Sequence, residues 1–249
     1  MIIAYLKHDN PTLKACAATC FCWYNIAFPH LHRTLTLWDW ISKEHPIYPH
    51  PLLPLFKLGL LLFVEELNFS GTLDRGPWVV PAVFDSRSMR YFRAMVNLQE
   101  LNIGQLDFYK FPVGFGKHLG HFAPTLRSVG LAQPCGPRRQ LLDFFRLFPK
   151  LDDIKITHYS AKGEAYEPLD AQLVPINGGL RGRLILKEFE EDDPALLEDM
   201  IVAFGGMRFT SMDLWDTTGT RRLLGACADT LEVLRIYSGL HYCKRDFNS

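Results

Sequence analysis

One apolar template, L-x-x-L-x-L, runs through most of this chain and constrains its fold more than any other feature. It recurs as Val64-x-x-Leu67-x-Phe69, Leu98-x-x-Leu101-x-Ile103, Leu126-x-x-Val129-x-Leu131, Leu151-x-x-Ile154-x-Ile156, Arg181-x-x-Leu184-x-Leu186, Phe209-x-x-Met212-x-Leu214 and Leu231-x-x-Leu234-x-Ile236. The longest step between first positions, Val64 to Leu98, is 34 residues, and the shortest, Phe209 to Leu231, is 22. A unit that short cannot bury its apolar face alone and must stack on neighbours of its own kind. Arg181 is the only polar residue at any template position.

Helical patterns stand between the templates. Gln140 to Phe148 places Leu141, Leu142, Phe144, Phe145 and Phe148 on one face. Asp192 or Asp193 is placed to cap a helix beginning at Pro194, with Leu196, Leu197, Met200, Ile201 and Phe204 inward. Thr220 is placed to cap a third, with Leu223, Leu224 and Cys227 inward. Strand alternating with helix predicts a parallel sheet on one side and helices on the other. The irregular loop lengths favour an open stack over a closed barrel. The expected fold class is therefore α/β: a leucine-rich-repeat solenoid over residues 63–249, its sheet concave, its helices and loops convex.

Residues 1–40 read differently. Asn10 is placed to cap a helix whose first position is Pro11, and Leu13, Cys16, Ala17, Cys20, Phe21 and Tyr24 follow at steps of three and four. Pro29 is expected to interrupt it. Arg33 to Leu37 alternates like a strand and matches the end of one further repeat starting at His32. Pro46, Pro49, Pro51 and Pro54 mark a hinge, so residues 41–62 are assigned to a Pro-rich hinge and linker helix.

The run Leu13-x-x-Cys16-x-x-x-Cys20-x-x-Trp23, followed by Pro29-His30-Leu31-His32-Arg33-Thr34-Leu35, resembles the second half of an F-box. It is most similar to the F-box of fungal F-box/leucine-rich-repeat proteins. The family's Leu-Pro-x-Glu start would fall about ten residues ahead of Met1, so the segment is read as an N-terminally incomplete F-box, truncated or degenerate. The resemblance implies a substrate adaptor of a Skp–cullin–F-box ubiquitin ligase. It implies that Leu13, Cys16, Cys20 and Trp23 build a small helical core. It also implies that Ile2, Ile3, Leu6 and Leu31 lie toward a Skp-type adaptor protein, and that the repeats hold a protein substrate. The alternative is a free-standing repeat scaffold that docks no ligase.

Composition excludes several classes. Lysine plus arginine and aspartate plus glutamate number 27 each, without the basic excess of a nucleic-acid binder. The 48% apolar content argues against disorder. The apolar stretch from Leu52 to Val64 is interrupted by Lys57 and Gly59 and is too short to span a bilayer, and Met1 to Leu6 lacks the form of a signal peptide. The expectation is a soluble chain of the cytoplasm or nucleus, with six cysteines reduced and mostly buried.

No catalytic pattern emerges, and the chain is expected to be neither an enzyme nor a holder of a cofactor or metal. Cys20 and Cys22 point about 200° apart on one helix and could not share a zinc ion with His30 and His32. Gly114 to His118 lacks the Walker spacing. The acidic run from Glu188 to Asp193 suits a helix N-terminus. In a solenoid, residues alternating with the template leucines face outward. Those of the first repeats are small or acidic, whereas the last four repeats present Lys155, Arg183, Lys187, Asp213, Trp215, Arg235 and Tyr237. Aromatic and arginine side chains anchor protein interfaces, so these seven form the expected partner-binding set.

Overall fold

The computed structural model describes residues 6, 9–38, 52–70, 89–110, 119–160, 180–187, 194–204, 206–215 and 220–237. Among the described residues two helices come first, α1 (Asn10–Thr19) and α2 (Phe21–Leu31). The strands that follow are β1 (Thr34–Trp38), β2 (Glu66–Ser70), β3 (Glu100–Ile103), β4 (Leu106–Asp107), β5 (Ser128–Ala132), β6 (Pro134–Cys135), β7 (Asp153–Thr157), β8 (Leu180–Lys187), β9 (Met207–Trp215) and β10 (Val233–Tyr237). Five helices lie among them: α3 (Leu52–Lys57), α4 (Met89–Phe92), α5 (Arg138–Arg146), α6 (Pro194–Ala203) and α7 (Thr220–Cys227).

Among the described residues, eight strands form one sheet in the order β1-β2-β3-β5-β7-β8-β9-β10, every pair parallel. Within this sheet the strands stand in chain order, with β4 and β6 set aside in a ladder of their own, and no barrel closes. Parallel neighbours require a crossover between them, which the intervening segments supply. The register puts the templates side by side. Leu35, Leu67, Leu101, Val129, Ile154, Leu184, Met212 and Leu234 form one row. Leu37, Phe69, Ile103, Leu131, Ile156, Leu186, Leu214 and Ile236 form the next.

These rows pack against the helices in one continuous core. Leu141, Leu142, Phe144, Phe145 and Phe148 from α5 and the residue beyond it, Leu196, Leu197, Met200 and Phe204 from α6 and its end, and Leu223 and Cys227 from α7 are buried in it. The core fades at its last strand, where Leu234 is 41% and Ile236 51% exposed. A second ladder, β4 with β6, continues through Cys135 to Ser160 at the corner after the strands. There Leu106, Pro134 and Tyr159 fill the interior. Leucine-rich repeats commonly place asparagine or cysteine at that position of the template, so this corner is sealed by apolar bulk instead.

Several details differ from the sequence reading. The sheet begins at Thr34, in the strand expected over Arg33 to Leu37 but ahead of residue 63, and Leu52 and Leu61, from the segment assigned to a hinge and linker helix, belong to the main core. Pro54 lies inside α3. In β8 the buried residue is Leu180, while Arg181 is exposed. The register slips between Gly182↔Phe209 and Arg183↔Ser211, leaving Thr210 of β9 as the extra residue, while β8 steps back by twos from Leu184 to Leu180, so counting three back from Leu184 lands on the wrong side chain.

The N-terminal region is two helices and not one. Cys20 is fully extended, with φ −163° and ψ 167°, and α2 starts afresh after it. The cap of α1 is Asp9, whose carboxylate accepts from the Thr12 amide at 3.1 Å and from the Thr12 hydroxyl at 2.6 Å. α2 continues through Pro29 to Leu31.

Candidate protein-binding face of the sheet

In a strand, side chains two apart share a face, so the residues alternating with the core rows all lie on the opposite side of the sheet. They form rows of their own. One row is Thr34, Glu66, Glu100, Ser128, Asp153, Arg183, Ser211 and Val233. The next is Thr36, Asn68, Asn102, Gly130, Lys155, Ile185, Asp213 and Arg235. The seven residues expected to bind a partner therefore stand together on β7 to β10.

The face has an acidic end. Glu66 and Glu100 are register partners. Thr34 donates to Glu66 Oε2 and Asn68 to Glu66 Oε1, each at 2.9 Å. Asn102 donates to Asn68 Oδ1 at 2.8 Å and lies 2.9 Å from Glu100 Oε1. This asparagine ladder stops at Gly130, because a Cβ there would run into Asn102 Oδ1. With Ser128 and Ala132, Gly130 leaves the centre of the face nearly without side chains.

The other end is basic and aromatic. Asp213 is only 3% exposed and lies between two guanidinium groups. Arg183 donates to Asp213 Oδ2, and Arg235 donates to Oδ1 at 3.0 Å. Burial alone would raise the Asp213 pKa, but the hydrogen bonds and charges of the two arginines outweigh it and hold the carboxyl below its ordinary value. The same bond to Asp213 raises the Arg183 pKa. Asp153 goes the other way. Burial lifts its pKa, opposed by Arg183 and Lys155 and reinforced by Glu100 and Asp213.

Lys187 sits with Nζ 5.3 Å from the centre of the Tyr237 ring, a cation–π contact. Lys155 is exposed and makes no ion pair among the described residues. Trp215 Nε1 and Arg183 Nε are buried donors with no hydrogen-bond acceptor among the described residues. Of the seven, Asp213 has a different role from the one expected. It is sealed beneath its arginines and fixes them in place. Ile185 and Asp153 face outward by the same alternation but stand outside the partner-binding set; Ile185 is 8% exposed, and Asp153 is a charge neighbour of Arg183.

The N-terminal helices form a small cluster of their own. Leu13 and Ala27 are fully buried, with Leu6, Cys16, Ala17 and Leu31 packed around them. Leu13 is thus buried between these helices, and Cys16 packs against it. Cys20 and Trp23 lie outside the core implied for them. Cys20 is exposed and Trp23 is 39% exposed, because the break at Cys20 resets the helical phase. Cys22 is also exposed, against the expectation of buried thiols. Phe21 and Ile26, at 76% and 54% exposed, complete an apolar surface on α2. Ile2 and Ile3 lie outside the described residues, as do Gly114 to His118, the acidic run from Glu188 to Asp193 and Cys243.

Among the described residues no group of histidine, cysteine, aspartate or glutamate could hold a metal ion. No helix among them is long and apolar enough to cross a membrane. Comparison with protein-family models, with curated proteins and with solved structures finds no match. The geometry defines an α/β protein built on one parallel sheet whose outer face is polar, charged and aromatic.

Proposed function

We propose that this chain is a protein-interaction module of the leucine-rich-repeat type, and that it serves as a substrate-recognition adaptor of a Skp–cullin–F-box ubiquitin ligase. The sheet face holds the protein to be ubiquitinated, and the N-terminal helix pair ties it to a Skp-type adaptor. The chain performs no reaction itself. It raises the local concentration of a target beside the ligase, in the cytoplasm or nucleus.

One observation carries the reading. Among the described residues, seven of the eight parallel strands bury template side chains on one side, and the opposite side carries carboxylates and amides toward one end and charged and aromatic groups toward the other. Such a surface suits binding along its length. The exposed Phe21, Trp23 and Ile26 on α2 give the adaptor an apolar surface to cover.

A second reading is favoured by the exposure of Cys20 and Trp23, which departs from the core implied by the F-box resemblance. In it the chain is a free-standing scaffold that docks no ligase. Co-purification of the full chain with a Skp-type adaptor separates the two. Capture that is lost in Phe21→Asp and Ile26→Asp supports the ligase reading. No capture by the folded full chain leaves the scaffold.

A further inference from the structure

The face described above is charged in opposite senses at its two ends. Glu66 and Glu100 stand side by side on β2 and β3, and neither has an ion-pair partner among the described residues. Their carboxylates are held in place by neutral donors only. At the far end Arg183 and Arg235 share the one carboxylate of Asp213. Lys155 has no carboxylate bound to it, and Lys187 rests on an aromatic ring. Among the described residues, Lys155, Arg183, Lys187 and Arg235 against Asp153 and Asp213 leave β7 to β10 positive on this side. Between the ends lie Ser128, Gly130 and Ala132, where a backbone could come close to the sheet.

We propose that this face takes an extended peptide segment laid across the strands, acidic where it meets β7 to β10 and basic where it meets β2 and β3. This deepens the reading of the sheet as a protein-holding surface and rests on it. The strands of the sheet interior are paired on both sides, so recognition falls to side chains and not to an added strand. The cations spread from Lys155 on β7 to Arg235 on β10. Three strand spacings make that about 14 Å, wider than a single small anion. The order β2-β3-β5-β7-β8-β9-β10 spans about 29 Å, which about nine extended residues would cross. Nucleic acid is disfavoured because Glu66 and Glu100 would repel its phosphates along the same path. Tyr237, 40% exposed, and Trp215 supply flat apolar contact beside the basic groups.

The test is selection of random dodecapeptides displayed on phage against the immobilised full chain, repeated with the charge-reversed K155E/K187E chain. Selected peptides are then synthesised with a fluorescent label, and their affinity is read by anisotropy at low and high salt. The proposal expects peptides with acidic residues clustered toward one end, binding weakened by salt, and about tenfold or greater loss in K155E/K187E. A K155Q/K187Q chain, compared with the parent by circular dichroism, shows that the loss follows charge and not unfolding. Peptides that depend on Trp215 but carry no acidic bias would overturn the proposal while leaving the protein-holding reading intact. Failure to select any peptide sensitive to Trp215→Ala, Lys155→Glu or Lys187→Glu would overturn both.

Discussion

Arg183 donates to Asp213 across the β8–β9 step, and Arg235 holds the same carboxylate from β10 at 3.0 Å. Three strands are thus pinned by one buried anion on the face that is proposed to meet a partner. The arrangement leaves both guanidinium groups partly in solvent, with side-chain exposures of 43% and 54%.

Asp213→Asn should therefore destabilise the fold by about 1–3 kcal/mol. That is below the range for a fully buried pair, since solvent compensates the freed arginines in part. The pH dependence has a definite sign. A carboxyl whose folded pKa is lowered contributes stability that is present above its unfolded value of 3.8 and is lost as pH falls through the folded value. Asp153 has the opposite slope, because its pKa is raised by burial. Its contribution is full below 3.8 and is lost as pH rises through its higher folded value. Urea unfolding between pH 2 and pH 7 should show Asp213→Asn flattening the acid limb and Asp153→Asn removing the loss above it. Unchanged acid limbs in both variants would contradict this electrostatic account.

The core rows set a gradient of sensitivity along the sheet. Leu101 is fully buried in the third strand, whereas Leu234 in the last is 41% exposed. Leu101→Ala should cost about 2–5 kcal/mol by lost transfer energy and the cavity left behind. Leu234→Ala should cost less than about 1.5 kcal/mol, because part of that side chain already meets water. Equal losses in denaturant titration would mean that the end of the stack is as tightly packed as its middle.

The gradient bears on how much could be read from the residues alone. Leu67, Leu101, Ile154 and Leu184 were legible because a strand of period two with a fixed template leaves one choice of inward side chain. The parallel order followed from the helices between them. What was not legible has a common cause: a local backbone departure that no side chain announces. Cys20 sits within steps of three and four that read as one helix, yet it is extended and turns Trp23 outward. The register shift beside Gly182 leaves Thr210 extra in β9 and keeps β8 in steps of two, so its buried position is Leu180 and not Arg181. On the proposed face, strand alternation puts Lys155, Lys187 and Tyr237 on the side away from the core rows. Alternation does not give the division of labour that hides Asp213 beneath Arg183 and Arg235, because that depends on which long side chains fold over which short one.

Gly130 and Asn102 offer a test by coupling. A methyl group at Gly130 must displace the Asn102 amide, which would disturb its contacts to Asn68 and Glu100. Gly130→Ala should cost about 1–2 kcal/mol in the parent chain. In an Asn102→Ala background the obstacle is gone, and alanine is preferred over glycine in a strand by about 0.5–1 kcal/mol. The substitution should then be neutral or stabilising. A double-mutant cycle on unfolding free energies measures the coupling, and additive effects would show that the two positions do not touch.

Gly182 decides where Arg183 stands. Its φ is +86°, and a Cβ would collide with the Asp152 carbonyl, the same group that accepts from the Arg183 amide at 2.7 Å. Gly182→Ala should cost about 1–3 kcal/mol from backbone strain, and more if Asp152 cannot move. Gly225, in α7, has open space around it and no positive φ, so Gly225→Ala should stabilise by about 0.8–1.0 kcal/mol through helix propensity. Denaturant midpoints of the two variants should thus move in opposite directions. Because Gly182 adjoins Arg183 at the register shift between β8 and β9, Gly182→Ala should also weaken the acid limb that Asp213 contributes. A Gly182→Ala chain with parental stability and an unaltered acid limb would detach the bulge from the placement of that arginine.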